Sequence, residues 1–251
     1  MKLTNKNNLP SPFIKAIEYY DKQYKKNSIS NSISTTTLLK PVQAVTLEKR
    51  YNEKIEVDAS DKLFALEGQI LHHMLELAEP DKTKVENRVS TQIDGYTVSG
   101  QYDLIEDGIL IDWKYTSVWK VIYPNDEWEQ QSNINRFLLH KNGVKIEKLV
   151  NIVMCKDFKP SEAGQGNYPS HAVMAVPLPL WTLEDTEKFI RGRLRLFKKA
   201  EEQKDVQLPS CTEKERWWNK KKKLNMRCEK YCLAKPFCHQ YKKLKEENND
   251  D

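Results

Sequence analysis

The sequence predicts an α/β layer fold, a mixed central sheet flanked by helices and followed by a C-terminal cysteine-rich tail. Three observations carry this expectation. Apolar residues recur at helical spacing over 61–78, two Asp-Gly pairs divide 84–115 into three strand-like runs, and a helix, two strands and a helix follow. The chain has 251 residues, of which 39% are hydrophobic and 31% charged, enough for one sizeable core with an appendage or for two small domains. With only 8 Gly and 11 Pro, a fibrous or largely disordered chain is excluded. No apolar run approaches the roughly 20 residues of a membrane span, and residues 1–8 are polar, so a cytoplasmic protein without a membrane partner is expected.

Residues 1–33 are polar, with one amphipathic patch at 13–20. Ser34, Thr35, Thr36 and Thr37 then offer caps for a short helix before Leu38, Leu39 and Pro41. Leu63, Leu66, Ile70, Leu71, Met74, Leu75 and Ala78 mark a helix that Pro80 stops. Runs 84–93, 96–106 and 109–115 are joined by Asp94-Gly95 and Asp107-Gly108. Two-residue turns need positive φ, which Gly supplies without a steric cost, so an antiparallel three-stranded meander is expected. A helix over 126–140 ends at Asn142-Gly143, strands follow at 147–156 and 171–177, and a long helix over 182–204 has Thr182 as its cap. The expected division is an N-terminal extension 1–60, a core 61–210 and a basic cysteine-rich segment 211–251.

Asp112 and Lys114 are two apart in a strand and share a face, and the Asp107-Gly108 turn brings them back beside Asp103. Two carboxylates held close together repel unless a hard divalent cation lies between them, which makes Mg2+ or Mn2+ the natural occupant. The same spacing also fits a half-exposed sheet with Lys114 as a cross-strand ion-pair partner. Gly68, His72 and Glu76 share a helix face, with Gly68 leaving room beside the imidazole. Glu86 lies on the first strand of the meander, and the helix over 126–140 presents Gln131, Asn135 and Arg136 to a sugar-phosphate backbone, to a metal-bound water or simply to solvent.

The series Gly68-x-x-x-His72-x-x-x-Glu76, Glu86, Gly100-x-x-Asp103, Asp112-x-Lys114 and Gln131 resembles the PD-(D/E)XK nuclease superfamily, and within it the RecB-like exonuclease branch with its phage-encoded members. The resemblance spans about residues 60–140. Where the family usually has Tyr four positions after the Gln, this chain has Asn135. The resemblance implies a restriction-endonuclease-like core and a metal-dependent DNA exonuclease acting in phage recombination, repair or end processing. A non-cleaving nucleic-acid-binding module and an endonuclease are the alternatives. It further implies His72, Asp103, Asp112 and the Trp113 main chain as metal ligands. Lys114 would orient or deprotonate the attacking water, with Glu86 and Gln131 beside it. DNA is the implied partner, with phage recombination or single-strand-binding proteins as further candidates.

Four of five cysteines, Cys211, Cys228, Cys232 and Cys238, fall within 28 residues. In a reducing compartment such clustering points to metal before disulfides. Four thiolates suit structural Zn2+ or a 4Fe-4S cluster, and free thiols are the plain alternative. RecB-like relatives include proteins with such a cluster, whose first cysteine usually lies near the N-terminal end of the domain; this chain has none before Cys155. Residues 211–251 carry 12 Lys and Arg against 7 Asp and Glu, so the whole +5 net charge belongs to them. Within this segment Trp217, Trp218 and Lys220, Lys221, Lys222 and Lys223 either stack on bases and neutralise phosphates or pack and solvate the tail.

Overall fold

The computed structural model describes residues 1–26, 32–81, 84–124 and 126–249. In chain order these form β1 (Lys2–Thr4), α1 (Ser11–Lys26), β2 (Ser32–Ser34), α2 (Thr35–Leu39), α3 (Val42–Arg50), β3 (Glu56–Asp58) and α4 (Leu63–Ala78). Next come β4 (Arg88–Ile93), β5 (Tyr96–Gln101), β6 (Leu104–Glu106), β7 (Ile109–Thr116), α5 (Val118–Ile122), α6 (Glu127–Lys141), β8 (Lys148–Cys155) and β9 (Val173–Leu178). The chain closes with α7 (Leu183–Glu202), α8 (Glu213–Arg216), β10 (Trp218–Asn219), β11 (Leu224–Asn225), α9 (Met226–Lys230) and α10 (His239–Asn249).

Both Asp-Gly turns form, with Asp94, Gly95, Asp107 and Gly108 all at positive φ. The expected meander, however, is split. Its middle run breaks at Tyr102-Asp103, so that β4 and β5 join β2 in one sheet (order β2-β5-β4) while β6 and β7 join β8 and β9 in another (β6-β7-β8-β9). The physical cause is local: the Asp103 side chain, rather than a strand carbonyl, takes the Trp113 N–H at 2.7 Å and ends the ladder there. Each sheet is mixed, because β2 runs parallel to β5 and β8 parallel to β7.

Helix α6 crosses from the first parallel strand to the second and is the core's central member. Ile134, Phe137 and Leu138 pack with Leu38, Leu47, Val98, Ile190 and Leu194, all essentially inaccessible to water. Its other side closes a smaller cluster with Tyr102, Leu110, Leu139 and Leu149. Thr182 caps α7 by accepting the Asp185 N–H, and Ser34 caps α2 by accepting the Thr37 N–H.

Packing runs across residues 60 and 210. Leu38, Val42 and Leu47 from the N-terminal side, and Ala234 and Cys238 from the C-terminal side, belong to the main core, and Tyr51 stacks on Phe237 at 4.2 Å. Helix α4 forms as its spacing predicts, but of its apolar residues only Leu66 is buried, against Ile17 and Ala59; Phe64, Met74 and Leu77 stay exposed. Among the described residues, no helix is long and apolar enough to cross a membrane.

Candidate metal centre

Four elements converge on an open cleft of about 690 Å³ lined by α4, the strand pair β4–β5, the Tyr102-Asp103 break and α6. His72 projects from α4 and places Nδ1 3.1 Å from Glu86 Oε1 and 3.6 Å from Asp103 Oδ1. The ligand atoms of His72, Glu86 and Asp103 lie within 4.8 Å of one another. Glu86 precedes β4 instead of lying in it, at φ 49°, a left-handed conformation that costs a non-glycine residue about 1–2 kcal/mol. Its N–H donates to the Asp103 carbonyl, which fixes the strained residue against the break.

Asp112 sits on β7 across from the break. Its Oδ2 is 2.5 Å from Lys114 Nζ, and its Oδ1 accepts from Gln131 Nε2 at 3.3 Å. Gln131 Oε1 in turn accepts from Lys114 Nζ at 3.0 Å, so one amide on α6 holds both the acid and the ammonium. Asp112 Oδ2 is closed off from solvent and lacks a partner in hydrogen-bond geometry, the Lys114 contact being short but misdirected.

Burial pushes Asp103 up to about 8, reinforced by the charges of Asp112 and Glu86 and opposed by His72 and Lys114. For His72, burial acts to lower the pKa, but the hydrogen bond to Glu86 and the charges of Asp103, Glu86 and Asp112 outweigh it and raise it. Three buried or half-buried acids thus crowd one imidazole, and the raised Asp103 shows that the protein's own groups do not let all three acids carry their charge at once. A hard divalent cation fits the donor set of His72, Glu86 and Asp103, two carboxylates and one imidazole.

Several expected contributors take other positions. Gly68 does not make room for the imidazole, since a Cβ there would meet nothing within 4 Å. The glycine that is sterically required is Gly100, where a Cβ would collide with Asn135 Oδ1. Asn135, standing where the resembling family usually has Tyr, is buried and pins the strand: its Nδ2 donates to the Gln101 carbonyl at 3.0 Å and its Oδ1 accepts from Thr35 Oγ1 at 2.9 Å. Arg136 does not face the cleft; its guanidinium donates to the carbonyls of Ile146 and Trp181. Glu76 pairs with His73 at 3.6 Å. Trp113 contributes its N–H to Asp103.

Two residues without a sequence signal complete the site. Gln101 donates from Nε2 to Glu86 Oε2, and Arg88 donates to Gln101 Oε1 at 3.0 Å, so a relay of polar side chains backs the Glu86 carboxylate. A third residue, Asn151 on β8, is wholly buried in register with Asp112. Its signal in the sequence is a lone amide within the apolar run 149–153.

The cysteines form a second cluster. Cys211, Cys228, Cys232 and Cys238 line one pocket with Gln43, Leu47 and Tyr241. Gln43 Oε1 lies 3.5 Å from Cys211 Sγ and 3.4 Å from Cys238 Sγ. Burial, reinforced by neighbouring thiols and acids, raises Cys211 to about 12 and Cys228 to about 11. These two thiols are therefore neutral at pH 7 unless a cation draws off their protons. In the lysine run, residues 220–223 make the exposed turn of the β10–β11 hairpin. Trp217 lies under Arg227, 4.3 Å from ring centroid to guanidinium, and packs edge-on against Tyr231, so it serves the segment's own packing.

No family model matches the sequence, and no curated protein matches it. Among solved structures, the chain is similar to SSO0001 with a TM-score of 0.56 and 17% identity, over 91% of this chain and 94% of that one. This likeness is one of fold. A "Putative exonuclease" from Eubacterium rectale aligns at a TM-score of 0.36 and 9% identity, over 77% of this chain and 68% of that one.

Proposed function

We propose that the chain is a divalent-metal-dependent deoxyribonuclease that hydrolyses phosphodiester bonds, acting on DNA ends. The observation that carries this reading is the meeting of His72, Glu86 and Asp103 in one open cleft, with the Asp112–Lys114 pair joined to it through Gln131, which lines the same cleft. A sheet that merely solvates its polar face has no need to bury three acids beside an imidazole, which destabilises the fold unless a ligand offsets the cost.

His72, Asp103 and Asp112 would hold Mg2+ or Mn2+, with Glu86 at the same corner. Such a cation supplies positive charge to the phosphoryl oxygens and acidifies the attacking water. The chain's own residues do the rest. Gln131, which lines the cleft, holds the Lys114 ammonium, whose N–H groups would orient the attacking water and can return a proton to the leaving oxygen. Trp113 N–H anchors the Asp103 carboxylate through Oδ2, leaving Oδ1 to face His72. The Arg88–Gln101 relay holds Glu86 in its strained conformation, so the ligand atoms are set before substrate arrives.

The cysteine pocket is the second part of this reading. Four thiols in one pocket suit Zn2+ or a 4Fe-4S cluster that ties the C-terminal segment to α3. Absorbance near ~400 nm after anaerobic purification distinguishes the cluster from colourless zinc.

End-labelled linear DNA and covalently closed circles, each single- and double-stranded, incubated with Mg2+ or Mn2+, test the activity. Metal-dependent loss of linear DNA with intact circles is the expected outcome. Equal cleavage of closed circles would replace the exonuclease by an endonuclease, and no cleavage of any substrate would leave a binding module.

A further inference from the structure

Asn151 is fully buried in the middle of β8, yet neither its Oδ1 nor its Nδ2 has a hydrogen-bond partner among the described residues. An unsatisfied buried amide costs about 1–3 kcal/mol, and native folds keep few of them. Its surroundings narrow what it serves. Asn151 pairs in register with Asp112 on one side and with Val176 on the other. Paired residues of adjacent strands point to the same face about 4.8 Å apart, and the buried faces agree: Leu149, Asn151 and Val153 on β8 lie beside Leu110 and Asp112 on β7. Of the two in-register neighbours, Asp112 is the polar one. Its Oδ2 is also buried and also without a hydrogen bond.

Two orphaned polar groups, a donor and an acceptor, thus stand side by side at the candidate metal centre. Lys114 occupies Asp112 Oδ2 at 2.5 Å in this structure. For Lys114 to act on a water at the scissile phosphate, that ion pair must loosen, and Asp112 Oδ2 then needs another donor in a place closed to solvent. A turn about the Asn χ2 torsion, which is soft, presents Nδ2–H2 to it. We propose that Asn151 is a positioning residue for Asp112, donating a hydrogen bond to its carboxylate when the cation is bound and Lys114 is released to the substrate. The inference rests on the nuclease reading of the same cleft.

Asn151→Leu separates this role from plain packing. Replacing an unsatisfied amide by an apolar side chain of similar size is neutral or stabilising to the fold, so the metal-free melting temperature holds or rises. Mn2+ affinity, measured by calorimetry without DNA, is expected to weaken about tenfold or more, the usual effect of losing a hydrogen bond to a metal ligand. kcat falls while KM for DNA stays constant. Asn151→Thr, which keeps a donor and suits a strand, recovers part of the Mn2+ affinity. Wild-type Mn2+ affinity in the Leu variant, or a Thr variant as weak as Leu, would overturn the inference while leaving the nuclease reading in place. Absence of Mn2+ binding and cleavage in the unaltered protein would overturn both.

Discussion

Asp103 concentrates the conflict between stability and chemistry. Its carboxyl, ordinarily near 3.8, is pushed up to about 8 by burial and by the neighbouring acids. A raised acid is held protonated by the fold, so its contribution to stability is full below 3.8 and is lost as pH rises toward about 8. In metal-free protein at pH 8, Asp103→Asn is therefore expected to raise the melting temperature, because Asn keeps an oxygen to accept the Trp113 N–H and carries no charge. The gain should shrink toward pH 4. Mn2+ should raise the melting temperature of the unaltered protein and have little effect on the variant; a lower melting temperature for Asp103→Asn at pH 8 would contradict this account. At this scale much of the site is legible in the sequence: Asp112 and Lys114 two apart on a strand, and His72 on a helix, are local patterns. Gln101, Arg88 and Asn151 are not, because each acquires its meaning from a neighbour on a different strand or turn.

At the scale of elements, the close approach of α6 to β5 fixes how the cleft is built. Gly100 allows it, and Asn135 locks it through the Gln101 carbonyl and Thr35 Oγ1. Gly100→Ala places a methyl carbon against Asn135 Oδ1 and is expected to destabilise by about 1–3 kcal/mol in chemical denaturation, the usual cost of overpacking. Asn135→Ala added to that background removes the severest contact, so the double variant should be less destabilised than the two single losses combined. Strict additivity would show that the glycine is not there for this approach. The elements themselves follow from period and turn chemistry, including both Asp-Gly hairpins. The division into two sheets does not, because residues 96–106 alternate like one strand and the interruption is made by a side chain, Asp103, bonding across to Trp113. The same limit hides β2, whose three residues become a strand only by pairing with β5, 65 positions away between Ser32 and Thr97.

The whole molecule is more integrated than its charge distribution implies. All the excess positive charge belongs to residues 211–251, yet Ala234 and Cys238 lie in the main core, Arg227 pairs with Glu127 on α6, and Gln240 is hydrogen-bonded to the Cys211 backbone. Deletion after residue 210 is therefore expected to unmake the fold instead of releasing an active body, seen as loss of a cooperative thermal transition. A folded, active 1–210 fragment would contradict that. The basic hairpin is better tested by substitution: replacing the four lysines at 220–223 with Ala should leave the melting temperature unchanged and weaken DNA binding. The slope of log affinity against log salt should fall by about 0.7–0.9 for each phosphate that a lysine no longer neutralises. An unchanged slope would show that the turn is only solvated.

The central claim is that the cleft of His72, Glu86 and Asp103, with Asp112 and Lys114 held behind Gln131, performs metal-dependent hydrolysis. Single-turnover cleavage of end-labelled DNA in Mn2+ by the unaltered protein and by Lys114→Ala tests it most directly. The account predicts a rate lower by roughly 10²-fold or more, the scale of a lost general acid–base group, with Mn2+ binding and a cooperative thermal transition retained. Cleavage by Lys114→Ala at the unaltered rate would place the chemistry elsewhere.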